Sequence, residues 1–414
     1  MKRRAVITGV GVISPNGIGK DKFWDALKSG KSGVKRITAF DPSPFPCQVA
    51  GEITDFQPEN YLDFKKARRM DRFVQFSVIT AKMAIEDAAL NIAAIEDRSR
   101  IGVVTGTATA GQGWVFAQYE IFRSQGYRKL NPFTAASTFP NASSSQISLE
   151  FGLNGPSNTF SSGCASGGMA MGYALELIRN NKIDIAIVVG SEACLYPPIF
   201  GTYCIARVLS TKNGASIKTP APFDKNRDGI VLSEGAGCVV LESEEHAKKR
   251  NANVYAELAG WGESCDAYHI ISPDPQGKEA ERAIRLAIAD AEIKNADINF
   301  IKMHGIGDPL NDKIETDIVK RIFEKRAYEI PASSLKSMIG HTQGACALIE
   351  TVATVLAMKN GLVTPTINYE TPDPECDLDY VPNKARTHKI KNALLNTFGF
   401  GGKNIALILR DFKS

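Results

Sequence analysis

Three residues of this 414-residue chain combine reactive side chains with glycine on their flanks: Cys164, His304 and His341. Cys164 lies in Asn158-Thr-Phe-Ser-Ser-Gly-Cys-Ala-Ser-Gly-Gly168, which reads as a strand, a sharp turn and the start of an amphipathic helix. A thiol at a helix N-terminus feels the positive end of the peptide dipoles, which favours the thiolate, the form that attacks. Gly163, Ala165, Gly167 and Gly168 leave room for a substrate to approach the backbone. The cysteines at 47, 194, 204, 238, 265, 346 and 376 lack such flanks and read as inert core thiols.

His304 ends a β-rich run and is followed by a glycine-rich loop, Gly-Ile-Gly-Asp-Pro-Leu-Asn-Asp312. His341, in Ser334-Leu-Lys-Ser-Met-Ile-Gly-His-Thr-Gln-Gly344, is expected to open a second helix. The other histidines, at 246, 269 and 388, have no comparable setting. A thiol nucleophile with two such imidazoles points to covalent catalysis that needs paired imidazole donors. A fourth segment, Asn396-Thr-Phe-Gly-Phe-Gly-Gly-Lys-Asn404, is a glycine loop able to aim a backbone N–H at an oxyanion.

The elements that must hold these groups follow from periodicity. Strands are expected at Arg4–Thr8, Ile101–Thr105, Ile183–Val189, Cys238–Leu241, Ile298–Met303 and Ile405–Leu409, and helices at Arg72–Leu90 and Lys278–Ala291. Their alternation predicts an α/β fold with sheets covered on both faces. The chain exceeds the roughly 250–300 residues at which one core stops growing, so two units are expected. With no linker of low complexity, the seam falls near Lys249–Val254, giving halves 1–251 and 252–414, the first bearing the cysteine and the second both histidines. Each half repeats one device, a helix starting at a glycine-flanked polar residue, which would bring two helix N-termini to one cleft.

Composition removes other classes. Hydrophobic residues make up 43% and charged residues 23%, as in ordinary globular proteins, and a formal charge of +4 gives no footprint for nucleic acid. Eight scattered cysteines without a CxxC pair fit a reduced cytoplasm and no metal site. The N-terminal apolar stretch is broken by Gly9 and Gly11 and reads as a buried strand, not a signal peptide. No apolar run approaches the about 18 residues that span a bilayer. Gly9-Val-Gly11 invites a nucleotide-binding reading, but the third glycine of that fingerprint falls on Ser14.

Together the four segments resemble the elongating β-ketoacyl-carrier-protein synthases of the thiolase-fold superfamily, nearest to the synthase II type. The likeness runs nearly end to end, through Pro222-Phe-Asp-Lys-Asn-Arg-Asp-Gly229 and Ser264-Cys-Asp-Ala-Tyr-His-Ile-Ile-Ser-Pro273. Initiating synthases resemble a Cys-His-Asn set and thiolases carry a second cysteine in the C-terminal glycine loop; this chain has His341 and no cysteine at 396–404. The resemblance implies two similar halves packed as αβαβα layers, and decarboxylative condensation of an acyl group on Cys164 with a malonyl unit on acyl carrier protein. It implies that His304 and His341 bind the malonyl thioester oxygen, that Lys336 and Glu315 support them, and that the amides of Cys164 and Phe400, flanked by Gly399 and Gly401, hold the oxyanion, with Phe400 as gate. No cofactor or metal is implied, since the phosphopantetheine arm belongs to the carrier protein.

Ile306 and Asp308 stand where relatives place threonines that bind pantetheine, Ile271 stands where a threonine is common, and Thr109 where a bulkier aliphatic is usual. With Phe398, these positions outline an altered substrate channel. The alternative is therefore the ketosynthase subunit of a type II polyketide or aryl-polyene pathway, paired with a chain-length-factor homologue. A non-catalytic partner subunit would lack the active cysteine, and a cysteine hydrolase would need no second donor imidazole. Lys65, Lys66, Arg68, Arg69, Arg72 and Arg207 form the expected basic docking surface for the carrier protein. The chain is expected to form a homodimer or a pseudo-symmetric heterodimer.

Overall fold

The computed structural model describes residues 2–214 and 217–412. The elements that matter for the site are β1 (Ala5–Ser14), α1 (Arg72–Asp87), β2 (Ile101–Gly106), α2 (Gln112–Gln125), β3 (Ser157–Phe160), α3 (Ser166–Arg179), β4 (Ile185–Glu192) and β5 (Gly235–Ser243). They continue as β6 (Ala256–Cys265), α4 (Lys278–Asp290), β7 (Phe300–Lys302), α5 (Pro309–Phe323), β8 (Ala332–Ser333), α6 (Cys346–Asn360), β9 (Asn392–Gly399) and β10 (Lys403–Arg410).

One strand order is written twice. The first group runs β3-β2-β4-β5-β1 and the second β8-β7-β9-β10-β6. In each, the first two pairings are parallel and the last two antiparallel. The groups meet where Ala5, Val6 and Ile7 of β1 pair antiparallel with Leu258, Glu257 and Ala256 of β6. The resulting sheet is continuous.

Side-chain alternation along the strands builds the layers. On β4, Ile185, Ile187 and Val189 join the core under α1, while Ala186 and Val188 face the opposite core around α3 and α6. On β10, Ala406 and Ile408 face α4 and α5, while Ile405, Leu407 and Leu409 face α3 and α6. A strand buried on both faces carries apolar residues at nearly every position, which is why these segments read as continuous runs. The layers are thus α1, the first sheet half, α3 with α6, the second sheet half, and α4 with α5.

Glycine sets the distance between layers. A Cβ on Gly9 or Gly11 of β1 would lie 2.2 Å from the Ala84 carbonyl or 2.1 Å from that of Thr80, both on α1. Gly260 and Gly262 of β6 meet α4 in the same way, at Ala291 N (2.5 Å) and Ala283 O (2.2 Å). The glycines of Gly9-Val-Gly11 are therefore helix-packing positions inside a strand that runs on to Ser14, past the Arg4–Thr8 expected from sequence. Other expected elements are trimmed: α1 stops at Asp87, and β7 covers only Phe300–Lys302 of the run from Ile298.

Among the described residues no helix is long and apolar enough to cross a membrane. Gly11→Ala places a methyl group against the α1 backbone, which cannot move without shifting the whole layer. It is expected to cost about 3 kcal/mol, seen as a lower urea midpoint with unchanged slope.

Candidate active site

Four segments converge on a cavity of about 150 Å³. Its floor carries Cys164, His304, His341 and Gln343, and its mouth carries Ile271, Leu310 and Phe400, all partly open to solvent. Of the residues expected from sequence, Cys164, Ile271, His304, Ile306, Asp308, His341, Phe398, Gly399 and Phe400 line it. Thr109 and Gly401 do not. The Thr109 hydroxyl is drawn away to the Glu192 carboxylate, and the Gly401 N–H bonds the Ile270 carbonyl at 2.8 Å.

Cys164 sits on a tight turn between β3 and α3. Gly163 supplies its left-handed residue, φ 58°, a conformation that a Cβ would strain. Ser166 braces the turn: its hydroxyl receives the Ser162 N–H at 2.8 Å and donates to the Gly163 carbonyl at 2.6 Å. The C-terminal glycine loop closes over it, so that a Cβ on Gly399 would come within 3.1 Å of the Cys164 nitrogen. The backbone N–H groups of Phe400 and of Cys164 itself both reach the sulfur. The thiol is nevertheless not a resting thiolate. Burial pushes it up to about 11, outweighing Lys336 and those amides, and corrects the expectation drawn from its place at a helix start.

His341 does not open a helix. It lies in an extended bridge to Leu232, its N–H donating to Val231 O at 2.7 Å and its carbonyl accepting from Ser233 N at 3.0 Å, and α6 begins only at Cys346. Its Nδ1 accepts the Gln343 N–H at 3.1 Å, so the proton of the neutral ring belongs on Nε2. The two imidazoles stand 5.6 Å apart, centre to centre, nearly perpendicular at 86°. His304 Nδ1 is buried without a partner among the described residues, which leaves Nε2 for any contact with a bound molecule. Burial, then the positive charge of Lys336, then His341 hold His304 well below the usual imidazole range; burial and Lys336 do the same to His341. Both rings are uncharged near neutral pH.

The supports of His304 act on its backbone. Glu315 accepts the N–H groups of His304 (2.7 Å) and Gly305 (2.8 Å) and the Asn396 amide (3.0 Å). Lys336 donates to the His304 carbonyl at 2.7 Å and to Glu350 at 2.6 Å, both charges fully buried. Asp312 accepts the N–H groups of Phe223, Ile306 and Gly307, and Asp308 caps α5 through Leu310 N and Asn311 N. Sequence reasoning missed Glu350, Asp312, Tyr203, Gln343 and Glu192. Gln343 and Asp312 stood inside quoted segments but read as spacers, because nothing in their spacing shows what they bond.

The basic residues divide. Lys65, Arg68 and Arg69 line a groove with Lys129, Phe64 and Phe133, and Arg69 lies 4.8 Å over the Phe133 ring. Lys66 is paired with Glu150 at 2.7 Å. Arg72 belongs to the interior: it grips Glu234 and lies over the rings of Phe56 and Phe76. Arg207 is exposed on another element, beside Val208 at the catalytic cavity. Among the described residues no cluster of three or more metal-ligating side chains occurs.

Burial, opposed by the amides of Gly305, Asn396 and His304, raises the Glu315 carboxyl from 4.5 to about 7. The folded chain therefore holds this proton between those values while the unfolded chain has lost it. The contribution to stability is complete below that window and is lost as pH rises through it. Relative to Glu315→Gln, the wild-type urea midpoint should decline as pH rises from about 5 to about 7; a gap independent of pH contradicts this.

Comparison with known proteins agrees with this geometry. The Beta-ketoacyl synthase N-terminal domain model matches residues 2–247 and the C-terminal domain model residues 255–370. The chain is 43% identical over 408 residues to 3-oxoacyl-[acyl-carrier-protein] synthase 2 of Coxiella burnetii, covering 99% of this chain and 98% of that one. It is similar, at 34% identity, TM-score 0.91 and full coverage of both chains, to the structure of a type II polyketide acyl-carrier protein in complex with its ketosynthase bound to the hexaketide. The ishigamide ketosynthase/chain length factor gives 34% identity and TM-score 0.92, again with full coverage of both chains. The fold is the thiolase-like ketosynthase fold, and the chain belongs to the β-ketoacyl synthase family of condensing enzymes.

Proposed function

We propose that the protein joins an acyl group held on Cys164 to a malonyl unit carried by acyl carrier protein, releasing carbon dioxide and β-ketoacyl-carrier protein, as in fatty acid elongation. The observation that carries this reading is the pair of buried, uncharged imidazoles beside a thiol whose sulfur faces two backbone N–H groups. In the first half-reaction Cys164 Sγ attacks the acyl thioester, the amides of Cys164 and Phe400 take the oxyanion, and the carrier thiol leaves with the proton. In the second, Nε2 of His304 and of His341 donate to the malonyl thioester oxygen. The bond to the carboxylate breaks, its electrons form an enolate on that oxygen, and carbon dioxide departs. The enolate carbon attacks the acyl-cysteine, and Cys164 leaves as thiolate and is reprotonated. Donors fixed in place on a buried cavity floor before charge develops are what such an enolate needs.

Carrier protein docks on the groove of Lys65, Arg68 and Arg69. A second chain, either another copy or a chain-length-factor homologue, covers the edge strand β3 and the exposed Val115, Tyr119 and Phe122 of α2. A second reading, the ketosynthase subunit of a type II polyketide or aryl-polyene synthase, uses the same three residues. The polar cavity floor favours it: the Gln343 carboxamide, held by the Tyr203 hydroxyl at 3.1 Å, is an odd wall for a plain alkyl chain.

Intact-mass measurement with acyl- and malonyl-carrier protein tests the reading. Wild type should gain an acyl adduct and a product one two-carbon unit longer, and Cys164→Ala neither. His304→Ala and His341→Ala should keep the adduct while carbon dioxide release falls at least about a hundredfold. Product chain length and reduction state choose between fatty acid and polyketide. For docking, Arg68→Glu with Arg69→Glu should raise the carrier-protein KM about tenfold at low salt and flatten its salt dependence. Lys66→Glu, whose partner is already Glu150, should change it far less.

A further inference from the structure

His341 Nδ1 has a second partner. Cys346 Sγ, on the first turn of α6, lies 3.1 Å from it. The thiol is wholly enclosed, and its protonated form is the one burial favours. The Thr342 hydroxyl donates to the same sulfur at 3.5 Å, which leaves the S–H to point onward. A directed chain results: Thr342 O–H to sulfur, sulfur S–H to imidazole nitrogen, with the Gln343 N–H converging on that nitrogen from the other side.

The Gln343 N–H can only donate, so it sets Nδ1 as an acceptor, and the Cys346 S–H can then donate to the same nitrogen. A proton on Nδ1 would confront the Gln343 N–H in a buried space, whereas a lone pair there accepts from that N–H and from the Cys346 S–H. The ring is then neutral with its proton on Nε2. Lys336, the cation nearest in effect, opposes ring protonation but does not discriminate between the two neutral tautomers.

We propose that Cys346 is a positioning residue for the condensation, its S–H together with the Gln343 N–H locking His341 in the form that donates from Nε2 into the cavity. The assignment rests on the reading of His341 as a donor to the malonyl thioester oxygen. It gives a role to a cysteine that sequence alone places among the inert ones. The role belongs to one half-reaction only, because acyl transfer to Cys164 uses backbone N–H groups and not the imidazoles.

That division supplies the test. Cys346→Ala, Cys346→Ser and wild type are purified as full chains, and two rates are measured on each: acylation of Cys164 and carbon dioxide release from malonyl-carrier protein. Alanine is expected to slow release about tenfold while leaving acylation within about twofold, and serine, which keeps a donor, to restore most of the loss. Nitrogen-15 spectra of histidine-labelled protein should show His341 with its proton on Nε2 in wild type and serine variant, and a weakened preference for Nε2, with a detectable Nδ1 fraction, in the alanine variant that keeps only the Gln343 N–H. Equal release in all three proteins, or an equal loss in both half-reactions, overturns the proposal. Wild type that acylates Cys164 but releases no carbon dioxide would instead overturn the reading of His341 on which it rests.

Discussion

The site depends on how closely α3 and α6 approach in the central layer. Cys164 comes from the first topological unit and His341 from the second, and they meet only because the start of α3 touches the segment leading into α6 almost backbone to backbone. A Cβ on Gly167 of α3 would lie 2.9 Å from Gly344 O, and one on Gly344 would lie 2.5 Å from Ala108 N. On the sheet side, Gly237 of β5 admits the start of α6, its Cβ direction 2.6 Å from Ile349 N. Any side chain at these positions would push the helices apart. Close packing of this kind transmits displacement and does not absorb it, so Cys164 and His341 are fixed by the same contacts that make the core.

Bringing the two units together buries charge, and the arrangement of that charge explains the chemistry. Glu192, at the end of β4, accepts Ala108 N and Thr109 N from one unit and Gly344 N from the other. Lys336 and Glu350 neutralise each other beneath His304, while Glu315 and Asp312 accept only backbone N–H groups and an amide around its loop. None of these carboxylates points at the imidazoles. A carboxylate on either ring would favour imidazolium; a buried lysine nearby does the opposite. The site is charged in its foundations and uncharged at its two imidazoles, which under the proposed reaction suits donors that must stabilise a developing enolate without giving up a proton.

Much of this was legible in the sequence, for a definable reason. Cys164, His304, His341 and Phe400 are flanked by glycine because backbone must pass within van der Waals distance there, and that requirement leaves a trace at fixed spacing. The alternating sheet positions left continuous apolar runs, and the strands were found, though β1 was cut short because Gly9 and Gly11 looked like breakers. What stayed hidden depends on direction. Nothing in the string distinguishes Arg72, turned inward to Glu234, from Arg68, turned out to the groove, or shows that Thr109 spends its hydroxyl on Glu192. The state of the Cys164 thiol was misjudged for the same reason: the helix start was visible, and the depth of burial was not.

The unusual loop after His304 shows where this chain is free to vary. Its backbone path is held by α5, through Glu315 on His304 and Gly305, Asp312 on Ile306 and Gly307, and the Asp308 cap on the helix itself. Neither side chain bonds His304: Ile306 packs against the apolar cluster of Leu209, Ile230 and Leu232, and the Asp308 carboxylate bonds forward into the helix. Both nevertheless face the cavity. Substitution at these two positions therefore changes what the channel offers a bound molecule without removing a hydrogen bond to His304. An aliphatic surface and a carboxylate already committed to a cap offer no hydroxyl donor to an incoming amide arm. Neighbouring Asn311, whose buried Nδ2 has no partner among the described residues, has a donor to spare. Separation of backbone placement from side-chain lining is what lets one condensing site serve different chains.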